Sequence, residues 1–178
     1  MAHRQQFEFV ATVKAKYPQN FALCRVLEVG SLDINGSVRS LFQGCQYIGL
    51  DVGQGRGVDI VCSGHEYDAP DHSYETVISC ECFEHNPHWI ETFANMHRLT
   101  RKGGLVVMTC ATTGRPEHGT TRTTPKDSPL TVALQWDYYQ NLTEQDFVER
   151  FGLDRMFSEW SFSVNPRSCD LYFYGVRR

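Results

Sequence analysis

Three short stretches of the sequence carry residue types that could hold a nucleoside. In EVGSLDINGS, residues 28–37, Glu28 ends an apolar run and Gly30 allows the backbone to turn close to a ligand. Asp51 ends a second run, YIGLD, where a carboxylate can accept hydrogen bonds from both hydroxyls of a ribose. SCECFEH, residues 79–85, closes a further run. If these runs are neighbouring strands, the three stretches outline a crevice for a nucleoside.

The glycine spacing of the first stretch bears on which nucleoside cofactor would fit. A dinucleotide requires a G-x-G-x-x-G pattern so that a helix N-terminus can approach the pyrophosphate. Here SLDIN separates Gly30 from Gly36 and places bulky and anionic side chains where a pyrophosphate would lie. Asp33 would repel phosphate and favour a cation such as the sulfonium of S-adenosylmethionine, unless it points to solvent or caps the following helix. Asp51 suits either cofactor, so these residues leave NAD as an alternative.

The elements that must position these residues alternate between strands and helices. Five short apolar runs recur between helix or turn signals: CRVLEVG, CQYIGLDV, VDIVC, ETVISC and GLVVMTCA. This alternation predicts a parallel sheet covered on both faces. WSFSV and DLYFYGV, joined by NPRSC, alternate large with small or polar residues and predict a terminal antiparallel hairpin.

A helix is predicted after the fourth apolar run. Asn86 can cap this helix, and Pro87 can take its first position. Gly103 and Gly104 are expected to end it. The predicted inward face comprises Ile90, Phe93, Ala94 and His97.

A later helix is predicted to start in LTEQDF. Thr143 and Asp146 have the spacing of a capping box. Leu142 and Phe147 stand at the two positions of a hydrophobic staple. Gly152 is the predicted terminator of this helix.

Residues 112–130, TTGRPEHGTTRTTPKDSPL, are rich in Thr, Pro and Gly and show neither helical nor strand periodicity. A loop of this length in a compact domain is usually a functional lid or a disordered insertion. It follows the fifth run, and ligands of open α/β sheets bind beyond the carboxyl ends of the strands. We therefore expect residues 112–130 to form a lid over the active site.

The whole chain, 178 residues with 41% hydrophobic residues, is predicted to be a single domain, residues 1–178. Its formal charge of -4 gives no general attraction to phosphate backbones, so we expect a small-molecule partner and no nucleic acid. The seven cysteines lack the paired spacing of a disulfide framework, and no window approaches the length of a membrane span. These features predict a cytoplasmic protein without a membrane partner and leave the oligomeric state open.

From Arg25 to Ala111 the chain resembles the class I S-adenosylmethionine-dependent methyltransferases, within them the small-molecule, type 11-like group. The matching segments are VLEVGS, YIGLDV, VDIVCSGHEYDAPDHSYETVISCECFEHNP and MHRLTRKGGLVVMTCA, in this order. The resemblance covers about half of the chain. It implies an α/β fold with a Rossmann-like, doubly wound, seven-stranded and mostly parallel sheet and a C-terminal antiparallel hairpin. It also implies S-adenosyl-L-methionine as the cofactor and methyl transfer as the activity.

The resemblance assigns residues to the methionine end of the cofactor. Glu28, Gly30 and Ser31 correspond to the turn around this end. Relatives usually show a denser glycine pattern in this turn. Asn35 and Gly36 are candidates to complete the turn in place of those glycines. Asp33 and Asn35 either reach the methionine end of the cofactor or only shape the turn.

The resemblance assigns a second group to the adenosine end. Asp51 would hold the ribose, and Val52 would pack against the adenine. Ser63 stands where relatives often have an aspartate that accepts from the adenine amino group, with Gly64 and His65 beside it.

The strand end at CEC has two interpretations. The resemblance places Cys80 and Glu81 where the backbone lies near the amino acid part of the cofactor. A metal site is the alternative, but Cys80 and Cys82 should point to opposite faces of a strand and no C-x-x-C partner exists. We therefore predict no metal.

The catalytic residues are sought among bases, because a hydroxyl acceptor benefits from a group that takes its proton. The candidates are His118 and Glu117 in the predicted lid and His85 at the strand end, with His118 first because the lid should close over the acceptor. The predicted function is methyl transfer to a small molecule, a hydroxyl-bearing metabolite or sugar. The alternatives are an NAD-type oxidoreductase and a non-catalytic module that binds S-adenosylmethionine.

Overall fold

The computed structural model describes residues 4–178, which form one seven-stranded sheet with helices on both faces. Residues 1–3 of the predicted domain lie outside the described residues. The strands are β1 (Arg25–Val29), β2 (Gln46–Asp51), β3 (Ile60–Val61), β4 (Tyr74–Cys80), β5 (Thr100–Ala111), β6 (Phe157–Asn165) and β7 (Asp170–Arg177). The helices are α1 (Arg4–Lys16), α2 (Trp89–Leu99), α3 (Pro129–Ala133), α4 (Glu144–Arg150) and α5 (Leu153–Met156). No helix in residues 4–178 is both long and apolar enough to span a membrane.

The strand order is β3-β2-β1-β4-β5-β7-β6. Strands β1 to β5 pair in parallel, whereas β7 runs antiparallel to both β5 and β6. This arrangement confirms the predicted mostly parallel, Rossmann-like sheet and its terminal hairpin. Because β1 and β4 are adjacent, the ends of β1, β2 and β4 lie side by side at one edge of the sheet.

The central strands are buried on both faces, as their continuous apolar runs require. On one face, Val10 of α1 packs in a cluster with Val26 of β1. On the other face, Phe93 of α2 and Phe147 of α4 pack in a second cluster with Leu27. Neighbouring residues of β1 therefore serve opposite layers, which keeps the strand rigid up to the turn that follows it.

The helix after β4 begins later than its sequence predicts. Residues 83–85 form a 3₁₀ turn, and α2 starts at Trp89 with His88 as its N-cap. Asn86 lies before the helix: its Oδ1 accepts from the His88 N–H at 2.9 Å and its Nδ2 donates to Thr92 at 2.8 Å. The predicted cap at Asn86 and first position at Pro87 were wrong, because Asn86 turns the chain ahead of the helix.

The inward face and the end of α2 also differ in part from the prediction. Of the predicted face, Phe93 is buried, Ile90 and His97 are half-buried, and Ala94 is exposed. The predicted stop at Gly103 and Gly104 was wrong, since both lie within β5. The chain is already extended at Thr100, and Gly103, with φ of +68°, lies where the β4–β5 register shifts.

The start of α4 confirms the predicted capping box. The Thr143 N–H and hydroxyl both donate to Asp146, at 2.8 and 2.7 Å. Leu142 and Phe147, the predicted staple, are both fully buried. The helix ends at Arg150, two residues before Gly152, and α5 follows. Leu142 and Phe147 thus anchor the start of α4 in the core cluster on this face of the sheet.

Residues 112–130 lie over the carboxyl end of β5, where the lid was predicted. They contain a 3₁₀ turn at Pro125–Asp127, and α3 begins within them at Pro129. The Thr121 N–H and hydroxyl donate to Asp137, both at 2.8 Å. The segment is thus held by contacts with a residue that follows it, although its sequence lacks periodicity.

Candidate active site

A crevice opens where β1, β2 and β4 end, and residues 127–131 cover it. It has two lobes that share Gly30, Asp51, Cys82 and Thr131. The three stretches that the sequence singles out for a nucleoside therefore border the same space.

The two lobes extend in different directions from this shared centre. The first lobe continues past Glu81 and His85 to Leu130 under the lid. The second lobe continues past Val52 and Gly64. The first lobe thus borders the predicted catalytic side, and the second borders the predicted adenine side.

The turn after β1 is built so that only glycine fits at position 30. Gly30 has a φ of +78°, and its N–H donates to the Leu50 carbonyl at 2.8 Å. A Cβ at this position would lie 2.5 Å from the Cys82 Cβ. The backbone at Gly30 therefore passes close to the end of β4, as a turn that borders a ligand requires.

Asp51 is held by the backbone on both of its oxygens. Its Oδ2 accepts from the Leu32 N–H and its Oδ1 from the Val52 N–H, each at 2.8 Å. Burial raises the pKa of this carboxyl above its usual value, and the two backbone hydrogen bonds oppose that rise. Since a carboxylate offers about four acceptor positions, Asp51 retains capacity for the hydroxyls of a ribose.

Asp33 and Asn35 do not line either lobe. Asp33 forms an ion pair with Arg56 at 2.9 Å and accepts from the Gly36 N–H at 2.7 Å. Asn35 is exposed beside it. The structure therefore places both residues in a turn stabilised by Asp33, outside the crevice, because a short acidic side chain satisfies the turn's own N–H group.

Glu28 and Ser31 lie beneath the turn rather than in the crevice. Glu28 is 5% exposed, and burial raises the pKa of its carboxyl to about 7, with Tyr47 and Arg39 opposing the rise. Ser31 is 3% exposed, and its Oγ has no hydrogen-bond partner among residues 4–178. Both support the turn from the sheet side.

Of the residues assigned to the adenine, two border the second lobe and two do not. Val52 and Gly64 line it. The Ser63 carbonyl instead accepts from the N–H groups of two following residues, which closes a turn. The His65 ring stacks on His88 with centroids 4.1 Å apart.

At the end of β4, Cys80 and Glu81 separate to different sides. Cys80 is buried in the cluster beneath α1. Glu81 has a φ of +52° and turns into the first lobe, where its Oε1 accepts from the Thr109 hydroxyl at 3.1 Å. The left-handed backbone at Glu81 is thus what directs a carboxylate into the crevice.

His85 is the one member of the predicted catalytic set that lines the crevice within residues 4–178. It is 4% exposed, and its Nδ1 has no hydrogen-bond partner among the described residues. Burial lowers the pKa of the imidazole to about 3, and nearby His118 lowers it further. The ring is therefore neutral at physiological pH.

His118 lies behind His85 and not in the lobe itself. The two rings meet edge to face with centroids 5.0 Å apart, and the Tyr139 ring contacts both. The His118 Nδ1 lies 3.1 Å from the Pro116 carbonyl. Burial lowers the pKa of His118 as well.

Glu117 points away from the crevice. It forms an ion pair with Arg122 at 2.9 Å and accepts from the Thr120 hydroxyl at 2.6 Å, and its side chain is 37% exposed. The structure does not bring it to His85, because these two contacts hold it on the outer side of the lid.

Sequence reasoning did not single out Glu84, which is fully buried beside His85. Neither of its carboxylate oxygens has a hydrogen-bond partner among the described residues, and burial raises its pKa well above the usual value. The signal available in the sequence was the pair Glu84–His85 after a strand. The burial of Glu84 depends on residues distant along the chain, so the local sequence pattern could not reveal this burial.

The crevice fits the implied cofactor in its chemistry and only in part in its volume. The open space is about 50 Å³ in the first lobe and about 30 Å³ in the second, far below the roughly 300 Å³ of a typical ligand site. Leu130 packs closely on Gly53, just beyond the end of β2. Each lobe is therefore smaller than a whole nucleoside requires.

Residues 1–173 match the sequence model of a family described as a methyltransferase domain. No curated protein matches the chain. The match extends beyond the region that carries the resemblance in the sequence and includes the lid and most of the terminal hairpin.

Solved structures share the fold at low sequence identity. A 1,6-didemethyltoxoflavin-N1-methyltransferase from Burkholderia thailandensis is 13% identical, with 99% of this chain and 91% of that chain covered and a TM-score of 0.60. The YcgJ protein from Bacillus subtilis is 11% identical, with 96% and 99% covered and a TM-score of 0.64.

A phosphoethanolamine N-methyltransferase 2 from Haemonchus contortus is 17% identical, with a TM-score of 0.64. The alignment covers 96% of this chain and 52% of that chain, so this chain spans about half the length of that enzyme. These likenesses concern the fold, whereas the family match covers nearly the whole sequence. The chain belongs to the methyltransferase domain family and is a class I S-adenosylmethionine-dependent methyltransferase.

Proposed function

We propose that residues 1–178 form a single domain that methylates a hydroxyl oxygen of a small molecule, such as a sugar or another hydroxyl-bearing metabolite. The observation that carries this proposal is the first lobe, in which Gly30 and Asp51 share one cavity with His85. A cofactor at one side of this cavity and an acceptor at the other would meet under the lid.

Different residues of the crevice would contact the ribose, the adenine and the methionine part of the cofactor. Asp51 would accept hydrogen bonds from the ribose, and Val52 and Gly64 would border the adenine. The backbone at Gly30 would pass the methionine part. When bound, S-adenosylmethionine supplies an electrophilic methyl group on a sulfonium. Positioning of the two reactants supplies much of the acceleration in such a transfer.

The proposed role of His85 is to receive the acceptor's proton. The hydroxyl oxygen would bond to the methyl carbon as the carbon–sulfur bond breaks and S-adenosylhomocysteine is left, and the acceptor's O–H bond would break with its proton passing to a ring nitrogen of His85. A neutral imidazole has a free lone pair for this purpose. His118 and Tyr139 would position the ring through their contacts with it. Glu117 has no part in this proposal.

The printed names of two structural neighbours support a small acceptor. One was solved with 1,6-didemethyltoxoflavin and the other with phosphomonomethylethanolamine. Both are named as N-methyltransferases, and another neighbour is named a carbon methyltransferase, so the fold accommodates different accepting atoms. The hydroxyl is proposed here because of His85, not because of these names.

The proposal is tested by transfer of a labelled methyl group from S-adenosylmethionine to panels of hydroxyl-bearing and amine metabolites. We expect a hydroxyl acceptor, and we expect His85→Gln to lower kcat by about 100-fold or more. Glu117→Gln is the matched control and should keep the wild-type rate. Transfer to amines alone, or an unchanged rate in His85→Gln, would contradict the proposal. Cofactor binding without transfer to any acceptor would identify a non-catalytic module.

A further inference from the structure

Three side chains behind the first lobe offer metal-ligand atoms at close range. One ligand atom from each of Glu84, His85 and His118 lies within 4.8 Å of the other two. Glu84 and His85 are adjacent in the 3₁₀ turn after β4, whereas His118 comes from the lid. The lid therefore brings the third ligand to a pair that the sheet edge already presents.

Glu84 and His85 are buried, and each offers ligand atoms without a hydrogen-bond partner among the described residues. Glu84 is fully buried and neither of its oxygens has a hydrogen-bond partner among residues 4–178. The Nδ1 of His85 is also unpartnered among the described residues. A buried carboxyl without a hydrogen bond is costly, and buried charges in proteins are usually paired or bind a metal. Coordination would satisfy both side chains.

His118 has the second contact that metal-binding histidines usually have. Its Nδ1 lies 3.1 Å from the Pro116 carbonyl, which leaves Nε2 for a ligand. The Tyr139 hydroxyl donates to the same carbonyl at 3.2 Å, and its ring contacts both histidines. The carbonyl and the aromatic ring thus fix the orientation of the imidazoles.

Although the sequence predicts no metal, we propose that Glu84, His85 and His118 bind one divalent transition-metal ion, such as Zn²⁺, Mn²⁺ or Co²⁺, beside the first lobe. Two imidazoles and one carboxylate suit these ions better than Mg²⁺ or Ca²⁺, which prefer oxygen ligands. Metal–ligand distances near 2 Å require the three atoms to close by about 1 Å. His118 can supply that movement because it belongs to the lid. Binding would tie the lid to the end of β4.

The metal and the proton compete for His85. A coordinated imidazole has no free lone pair, so methyl transfer should slow as the ion binds. This consequence rests on the proposed function, whereas the metal site does not. If the protein binds the ion but methyl transfer does not slow, His85 is not the base, and the metal proposal stands.

The test is calorimetric titration of the metal-stripped, full-length protein with Zn²⁺, together with absorption spectroscopy of the Co²⁺ form. We expect one ion per chain, with Co²⁺ bands of nitrogen and oxygen ligation and no thiolate charge-transfer band from the free cysteines. Glu84→Gln and His118→Gln should each weaken binding by about 100-fold or more. His118→Gln is informative even if Glu84→Gln fails to fold, because His118 is only half-buried.

The matched control is His88→Gln, which removes an exposed histidine that stacks on His65 outside the cluster. This variant should bind the ion as tightly as the wild type. Absence of binding in the wild type, unchanged binding in His118→Gln, or loss of binding in His88→Gln would each overturn the proposal.

Discussion

Gly30 illustrates how one residue determines the geometry of the crevice. It combines a φ of +78° with a Cβ position 2.5 Å from Cys82, whereas Gly103 has a φ of +68° with no atom within 4 Å. Gly30→Ala should therefore lower the free energy of unfolding by more than about 2 kcal/mol, from backbone strain and overlap together. Gly103→Ala should cost only about 1 kcal/mol, from strain alone. Urea denaturation of both variants measures the difference.

Equal losses of stability in the two alanine variants would contradict this account, since the contact with Cys82 would then contribute nothing. A second readout separates fold from function. Gly103 lies within β5, away from the crevice, so Gly103→Ala should keep wild-type affinity for S-adenosylmethionine.

Glu28 should make stability depend on pH. Burial raises its pKa to about 7 from 4.5, and the groups that face it are Tyr47, Arg39, Asp51 and Cys80. The folded state therefore binds this proton more tightly than the unfolded chain, and stability should fall as pH rises from about 4.5 to about 7. The loss has an upper bound between about 3 and 4 kcal/mol, because each pKa unit corresponds to about 1.4 kcal/mol.

Glu28→Gln keeps the shape of the side chain and removes its titration. We expect the variant to lose less stability than the wild type between pH 5 and 8 in urea denaturation. Parallel pH profiles for the two proteins would show that Glu28 is not the group responsible.

Single residues at the ends of strands were predicted well when a local rule fixed their conformation. Gly30 and Asp51 border the crevice because a glycine turn and a terminal carboxylate have few other arrangements. Asp33 was not predictable in this way. Its ion pair with Arg56 depends on a loop distant in sequence, and the same side chain satisfies the N–H of Gly36.

At the scale of elements, the sequence predicts those whose boundaries are set locally. The capping box at Thr143 and Asp146 and the terminal hairpin are both confirmed. The predicted start of α2 was wrong because the Asn86 side chain bonds to the His88 N–H and to the Thr92 hydroxyl in a turn before the helix. The second bond depends on Thr92 being buried next to Asn86. Glu84 in the same turn is fully buried, and its carbonyl accepts from the N–H of Gln140, a residue distant along the chain.

The lid provides a prediction at this scale. Leu130 packs on Gly53 and lines the first lobe, and we expect ligand entry to break this contact. Leu130→Ala should therefore bind S-adenosylmethionine a few-fold more tightly, because the apolar contact that ligand entry breaks is weaker in this variant by roughly 1 kcal/mol. Calorimetric titration measures the change.

Leu134→Ala is the control for the lid variant. Leu134 follows α3, just beyond the lid, but it is 45% exposed and lines neither lobe. The affinity of Leu134→Ala for S-adenosylmethionine should equal that of the wild type. Weaker binding by Leu130→Ala would show instead that the leucine contacts the ligand.

At the scale of the whole molecule, the order of apolar runs was sufficient to predict the sheet and its hairpin, because parallel strands between helices leave few topologies. The family match over residues 1–173 agrees with that topology. The identity of the methyl acceptor does not follow from the order of apolar runs. In our proposal the acceptor is selected by the shape of the first lobe, which Glu81, His85 and residues 127–131 line from separate parts of the chain.

The central claim is that the crevice at Gly30 and Asp51 holds the cofactor. The most direct measurement is calorimetric titration of the wild type and Asp51→Ala with S-adenosylhomocysteine, with circular dichroism to confirm that both are folded. We predict binding by the wild type and at least tenfold weaker binding by the variant, because the ribose loses its acceptor. Equal affinity of the two folded proteins would contradict the claim.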